Sequence, residues 1–86
     1  MKLRDGFITY NTGDEQIMVA AGAAAFRGMV RSNRTAAYMV DCLKEDISRE
    51  GLLDRLEAKY DAPRAVLAAD LDRVLDSLRR IGALDE

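Results

Sequence analysis

The feature that most limits what this chain can become is a change of apolar period near Ser32-Asn33. Before it, apolar residues recur about every second position, as on a half-buried strand. After it they recur about every 3.6 positions, as on an amphipathic helix. Two structural regimes must therefore share 86 residues. A chain of that length buries only about 60–65% of the surface its unfolded form exposes, which suits one small domain. The expected organisation is a single unit over residues 1–86, with strands within about 6–32 and helices within about 34–82.

The charge changes at the same point. Four basic and three acidic residues precede it, and nine basic and twelve acidic residues follow. The formal charge of −2 argues against a polyphosphate backbone as the main partner, so nucleic acid is not expected.

Missing residue types remove further classes of function. There is no His, so a Ser-His-Asp triad, a Cys-His pair and His-containing metal sites cannot be built within this chain. The single cysteine, Cys42, excludes an intramolecular disulfide and any Cys-x-x-Cys motif, and fits a reducing compartment. It is expected to be a small packed hydrophobe. The start, Met1-Lys2-Leu3-Arg4-Asp5-Gly6, lacks the apolar stretch of a secretion signal, and no run is long enough to span a bilayer. The expected location is the cytoplasm, without membrane contact.

Phe7-Ile8-Thr9-Tyr10 and Gln16-Ile17-Met18-Val19-Ala20 read as two strands joined through Asn11-Thr12-Gly13-Asp14-Glu15. That connection is longer than a two-residue turn, with Gly13 expected in a left-handed conformation. The alanine-rich stretch to Arg27 reads as a loop. Met29-Val30-Arg31-Ser32 reads as a third strand, with Val30 inward and Met29 and Arg31 on the opposite side.

Asn33 is suited to cap a helix over about 34–44, in which Ala36, Met39, Val40 and Leu43 share a face. Ser48 is suited to cap a second over about 49–60, with Leu52, Leu53, Leu56 and Tyr60 as its apolar stripe. Pro63 suits the first turn of a third helix, where Leu67, Leu71, Val74, Leu75 and Leu78 recur at helical spacing. Gly82 is expected to end that helix, with Leu84 folding back on its last apolar turn.

Three short strands followed by three helices make an α+β domain. The order admits several small folds, a strand-first winged helix-turn-helix with a three-helix bundle among them. The residues add a resemblance. Leu3-Arg4-Asp5-Gly6-Phe7-Ile8, Phe26-Arg27-Gly28-Met29-Val30, Asn33-Arg34-Thr35-Ala36-Ala37, Asp46-Ile47-Ser48, Tyr60-Asp61 and Ile81-Gly82-Ala83-Leu84, in this order and spacing, resemble the PqqD family. That family is named for coenzyme PQQ synthesis protein D. The sequence departs from the usual pattern at Ser32 in place of Leu, Arg34 and Gly51 each in place of Glu, and Val40 where Trp is common. These changes bear on packing and capping rather than on a reactive group.

The resemblance implies a peptide-recognition element of ribosomal peptide modification. Such a domain binds the leader segment of a precursor peptide and presents it to a modifying enzyme, frequently a radical S-adenosylmethionine protein. It would be no enzyme and would carry no cofactor and no metal. The physical means expected is β-augmentation, with the peptide added to the third strand beside the third helix.

On the strand, Gly28 would allow close backbone approach, Met29 and Val30 continue the pairing, and Arg31 meets an acidic leader residue. On the helix, Val66, Asp70, Arg73 and Ser77 form one stripe beside the core stripe and would wall the groove. The plainer reading of Asp70, Arg73 and Ser77 is a solvated helix face with an i,i+3 ion pair. The rival functions are a winged-helix DNA-binding regulator, disfavoured by Asp70, Asp72 and Asp76 on the third helix, and a non-catalytic dimerisation module. A monomer or weak homodimer is expected.

Overall fold

In the computed structural model, which describes residues 1–12, 15–20 and 29–86, the alternating N-terminal segment is a three-stranded antiparallel sheet. The first strand of the chain, β1 (Lys2–Leu3), lies outside it. The sheet is formed by β2 (Phe7–Thr12), β3 (Glu15–Ala20) and β4 (Met29–Ser32), in the order β2-β3-β4. Helices α1 (Arg34–Cys42), α2 (Arg49–Lys59) and α3 (Arg64–Arg80) follow, and β5 (Leu84–Asp85) ends the chain.

The register explains which side of the sheet is buried. Thr9 pairs with Met18 and Met18 with Val30, whereas Ile8 pairs with Val19 and Val19 with Met29. Directly opposed residues share a face. Met18 and Gln16 are fully buried, while Ile8 is 44% and Tyr10 55% exposed. The row through Gln16 and Met18 is thus the core-side row, while the expected facing of Met29, Val30 and Arg31 concerns side chains outside those described. Strand β2 runs two residues past the expected end at Tyr10, because Asn11 and Thr12 pair with Gln16 and Glu15. The expectations for Gly13 and for the loop over residues 21–27 fall outside the described residues.

The helical caps follow from side-chain chemistry. Asn33 Oδ1 accepts from the Ala36 N–H at 2.9 Å and Ser48 Oγ from the Gly51 N–H at 3.0 Å, each relieving one unpaired donor of a first turn. A Cβ added at Gly51 would stand 3.2 Å from both Ile47 Cγ1 and Ser48 Oγ, so the small residue fits closely beneath this cap. Helix α1 ends at Cys42 and α2 at Lys59, slightly short of expectation. Pro63 stands one residue before α3 rather than within its first turn.

At the other end of α3, Gly82 has φ +72°, the Ala83 N–H donates to Leu78 O and the Gly82 N–H to Arg79 O. This is the paired closure that a left-handed residue permits. It turns the chain so that Leu84 is buried and pairs with Leu3, Lys2 facing Asp85. The strands β1 and β5 are absent from the sequence reading because two residues cannot display a period.

The core joins Met18 of the sheet to Met39, Val40 and Leu43, to Leu52, Leu53 and Leu56 of α2, and to Leu67, Leu71, Leu75 and Leu78 of α3. Each fully buried leucine contributes about 1.5–3 kcal/mol relative to exposure. Cys42 is buried there as a free thiol, a packed hydrophobe as expected. Among the described residues no helix is long and apolar enough to cross a membrane.

Candidate functional site

The candidate site begins with backbone. Strand β4 pairs with β3 along one side only; among the described residues no strand occupies its other side. An extended segment with one unpaired side presents alternating N–H and C=O groups, the template for an added strand. Met29, Val30 and Arg31 lie in this strand, described through their backbone; Gly28 lies outside the described residues.

Helix α1 packs against both β4 and α3. It therefore lies between the open strand and the helix expected to wall a groove. On α3, Val66, Asp70, Arg73 and Ser77 do share one stripe, spaced by four, three and four residues. Val66 is 50% exposed, unusual for a branched apolar side chain on a helix that buries four leucines. Asp70 and Arg73 form an i,i+3 ion pair, and Ser77 Oγ donates to Arg73 O at 3.0 Å. The polar members are thus partnered within the helix, and Val66 is the apolar one that no core contact uses.

Asp70 and Asp72 lie roughly 200° apart around the axis at 100° per residue. Asp72 receives two bonds from Arg49 of α2, Nε at 2.9 Å and Nη2 at 3.0 Å, which hold its carboxyl below the ordinary carboxylate value. One flank of α3 is therefore tied to α2, and the flank bearing Val66, Asp70, Arg73 and Ser77 is the other. Other arginines are also engaged. Arg64 bonds Glu50, Asp54 and Glu57, and Arg79 bonds Asp76 and Glu86. These pairs leave α3 without the basic stripe that duplex DNA requires. Among the described residues no group of three His, Cys, Asp or Glu side chains converges as metal ligands would.

A second concavity, of about 410 Å³, opens at the hairpin end of the sheet between Asn11, Glu15, Tyr38, Asp41, Lys59 and Tyr60. The Tyr38 and Tyr60 rings meet edge to face, centroids 6.0 Å apart, and Lys59 Nζ stands 4.5 Å from the Tyr38 ring centroid. Burial, with Cys42 beside it, raises the Tyr38 hydroxyl above the ordinary tyrosine value. This cluster was not legible in the sequence, since Tyr38 and Tyr60 lie on different helical segments. The only signal was Lys59-Tyr60 at a helix end.

The family model described as Coenzyme PQQ synthesis protein D (PqqD) matches residues 15–84. No curated protein matches the sequence significantly. Among solved structures, the chain is similar to TbiB1 in complex with the TbiA(beta) leader peptide, with TM-score 0.82 and 20% identity, covering 99% of this chain and 95% of that one. At that identity the likeness concerns the fold.

Proposed function

The chain belongs to the PqqD family, and on that premise we propose that it binds the leader segment of a ribosomally made precursor peptide and presents it to a modifying enzyme. The observation that carries this reading is the side of β4 that no described strand occupies, and the exposed Val66 on α3 supports a helix wall. The peptide adds as a strand to β4, in register with Gly28, Met29, Val30 and Arg31, and its side chains meet Val66, Asp70, Arg73 and Ser77. The same fold in TbiB1, which was solved with a leader peptide, supports the choice of ligand.

Magnitudes divide the work. Four or five backbone hydrogen bonds at about 0.5–1.5 kcal/mol each roughly offset the 2–5 kcal/mol of ordering a disordered segment. The net affinity then comes from apolar anchors, at about 1.5–3 kcal/mol per buried Leu or Phe. Two anchors supply about 3–6 kcal/mol, and about three bring binding to about −8 kcal/mol, the micromolar range.

The domain acts as an adaptor and catalyses nothing itself. Its partner enzyme is of the radical S-adenosylmethionine type, its fold is read as a strand-first winged helix-turn-helix, and it works in the cytoplasm. A DNA-binding role is disfavoured by the paired arginines of α3.

Calorimetric titration with precursor peptides encoded beside the gene tests the reading. Micromolar binding is expected, with a large loss in Met29→Pro, which removes a backbone donor from β4. Unchanged affinity in a folded Met29→Pro variant contradicts strand addition, and salt-sensitive binding of duplex DNA in place of peptide contradicts the function.

A further inference from the structure

Among the described residues the sheet has a second open side. There, strand β2 pairs only with β3, continuously from Phe7 opposite Ala20 to Thr12 opposite Glu15, with no bulge. Edge strands that stay single are protected by Lys, Pro, a bulge or an inward charge. Phe7-Ile8-Thr9-Tyr10-Asn11-Thr12 has none of these, and two large apolar side chains on it are exposed, Ile8 at 44% and Tyr10 at 55%. Strand β4 differs, being four residues long and including Arg31.

We infer that β2 pairs antiparallel with β2 of a second copy of this chain, about a two-fold axis at Thr9. Opposed residues share a face, and a two-fold axis perpendicular to the sheet preserves faces, so the axis must pass at a residue. At Thr9 it sets Ile8 against Tyr10 twice and Thr9 against Thr9. Aromatic with β-branched and Thr with Thr are favourable cross-strand pairs. An axis at Tyr10 would oppose Ile8 to Thr12, Thr9 to Asn11 and Tyr10 to Tyr10, replacing two aromatic–β-branched pairs and the Thr pair by one aromatic pair.

A second copy thus supplies favourable cross-strand pairs along β2. The product is a six-stranded sheet in which both β4 sides stay open, so dimerisation and peptide binding do not compete.

Sedimentation equilibrium on the full chain from about 10 μM to about 1 mM tests this. A concentration-dependent dimer is expected, with Ile8→Lys raising its dissociation constant at least about tenfold while the circular dichroism spectrum is retained. Tyr10→Lys serves the same purpose should Ile8→Lys unfold. In the unmodified chain, amide exchange protection over Phe7–Thr12 should increase with concentration. A monomer throughout, a dimer that persists in a folded lysine variant, or protection of Phe7–Thr12 that does not change with concentration overturns the inference.

Discussion

The side-chain amide of Gln16, fully buried in β3, donates to Asp41 Oδ1 of α1 at 3.0 Å. The bond crosses from the sheet to the helix on which β4 also rests, so it helps fix where the open strand lies relative to the helices. The same amide donates to Asn11 Oδ1 at 3.4 Å, while Gln16 Oε1 is buried without a partner among the described residues.

The two ends of that bond respond differently to mutation. Asp41→Ala leaves the buried amide with only its longer bond and is expected to cost about 1–2 kcal/mol. Gln16→Met keeps volume and removes both the bond and the unpartnered carbonyl, so its cost is expected below about 1 kcal/mol. Urea denaturation of both variants measures the contrast. Equal losses would show that the orphaned oxygen is not a penalty.

Arg49 and Asp72 predict a pH effect. Because the Asp72 carboxyl is held below its ordinary value in the folded chain, the stabilisation is present above the unfolded carboxylate range and is lost as pH falls through the folded value. Arg49→Met is expected to move the Asp72 midpoint, followed by carboxyl NMR, up to the ordinary range. A midpoint that does not move would contradict the cause assigned to it.

Gly82 tests the closure of α3. Nothing lies within 4 Å of an added Cβ, yet φ is +72°, so Gly82→Ala meets no clash and is expected to lose about 1–2 kcal/mol from backbone conformation alone. Thermal unfolding checks this. An unaltered midpoint would mean that the turn tolerates a side chain.

Val66 tests the helix wall. Half exposed and outside the core, it can be replaced by Lys with stability kept within about 0.5 kcal/mol. Val66→Lys is nonetheless expected to weaken leader binding about tenfold, or 1.4 kcal/mol. Calorimetry and urea denaturation together separate the two effects, and unchanged affinity would remove Val66 from the groove.

These features were unequally legible in the sequence. The caps Asn33 and Ser48 and the stop at Gly82 were readable because each depends on local chemistry within a few residues. The leucine stripe of α3 was readable from its period. The β1–β5 pair was not, since Leu3 and Leu84 meet through a closure across almost the whole chain. The buried Gln16 was hidden for a similar reason: its position in an alternating strand reveals a face, but not that Asp41 would be there to receive its amide. Of the candidate site, the stripe from Val66 to Ser77 was visible in spacing. The Asp70–Arg73 pair and the Ser77 bond to Arg73 O also match the plainer reading of a solvated face, which leaves Val66 as the informative member. The Tyr38–Tyr60 contact required the packing of α1 against the end of α2.

The central claim is that a leader peptide adds to β4 beside α3. It is tested most directly by NMR titration of the isotope-labelled chain with precursor leader peptides encoded beside its gene. The account predicts amide shifts concentrated in Met29–Ser32 and on the α3 flank from Val66 to Ser77, with intermolecular backbone contacts to β4. Shifts confined to Tyr38, Lys59 and Tyr60, or to Phe7–Thr12, would contradict it.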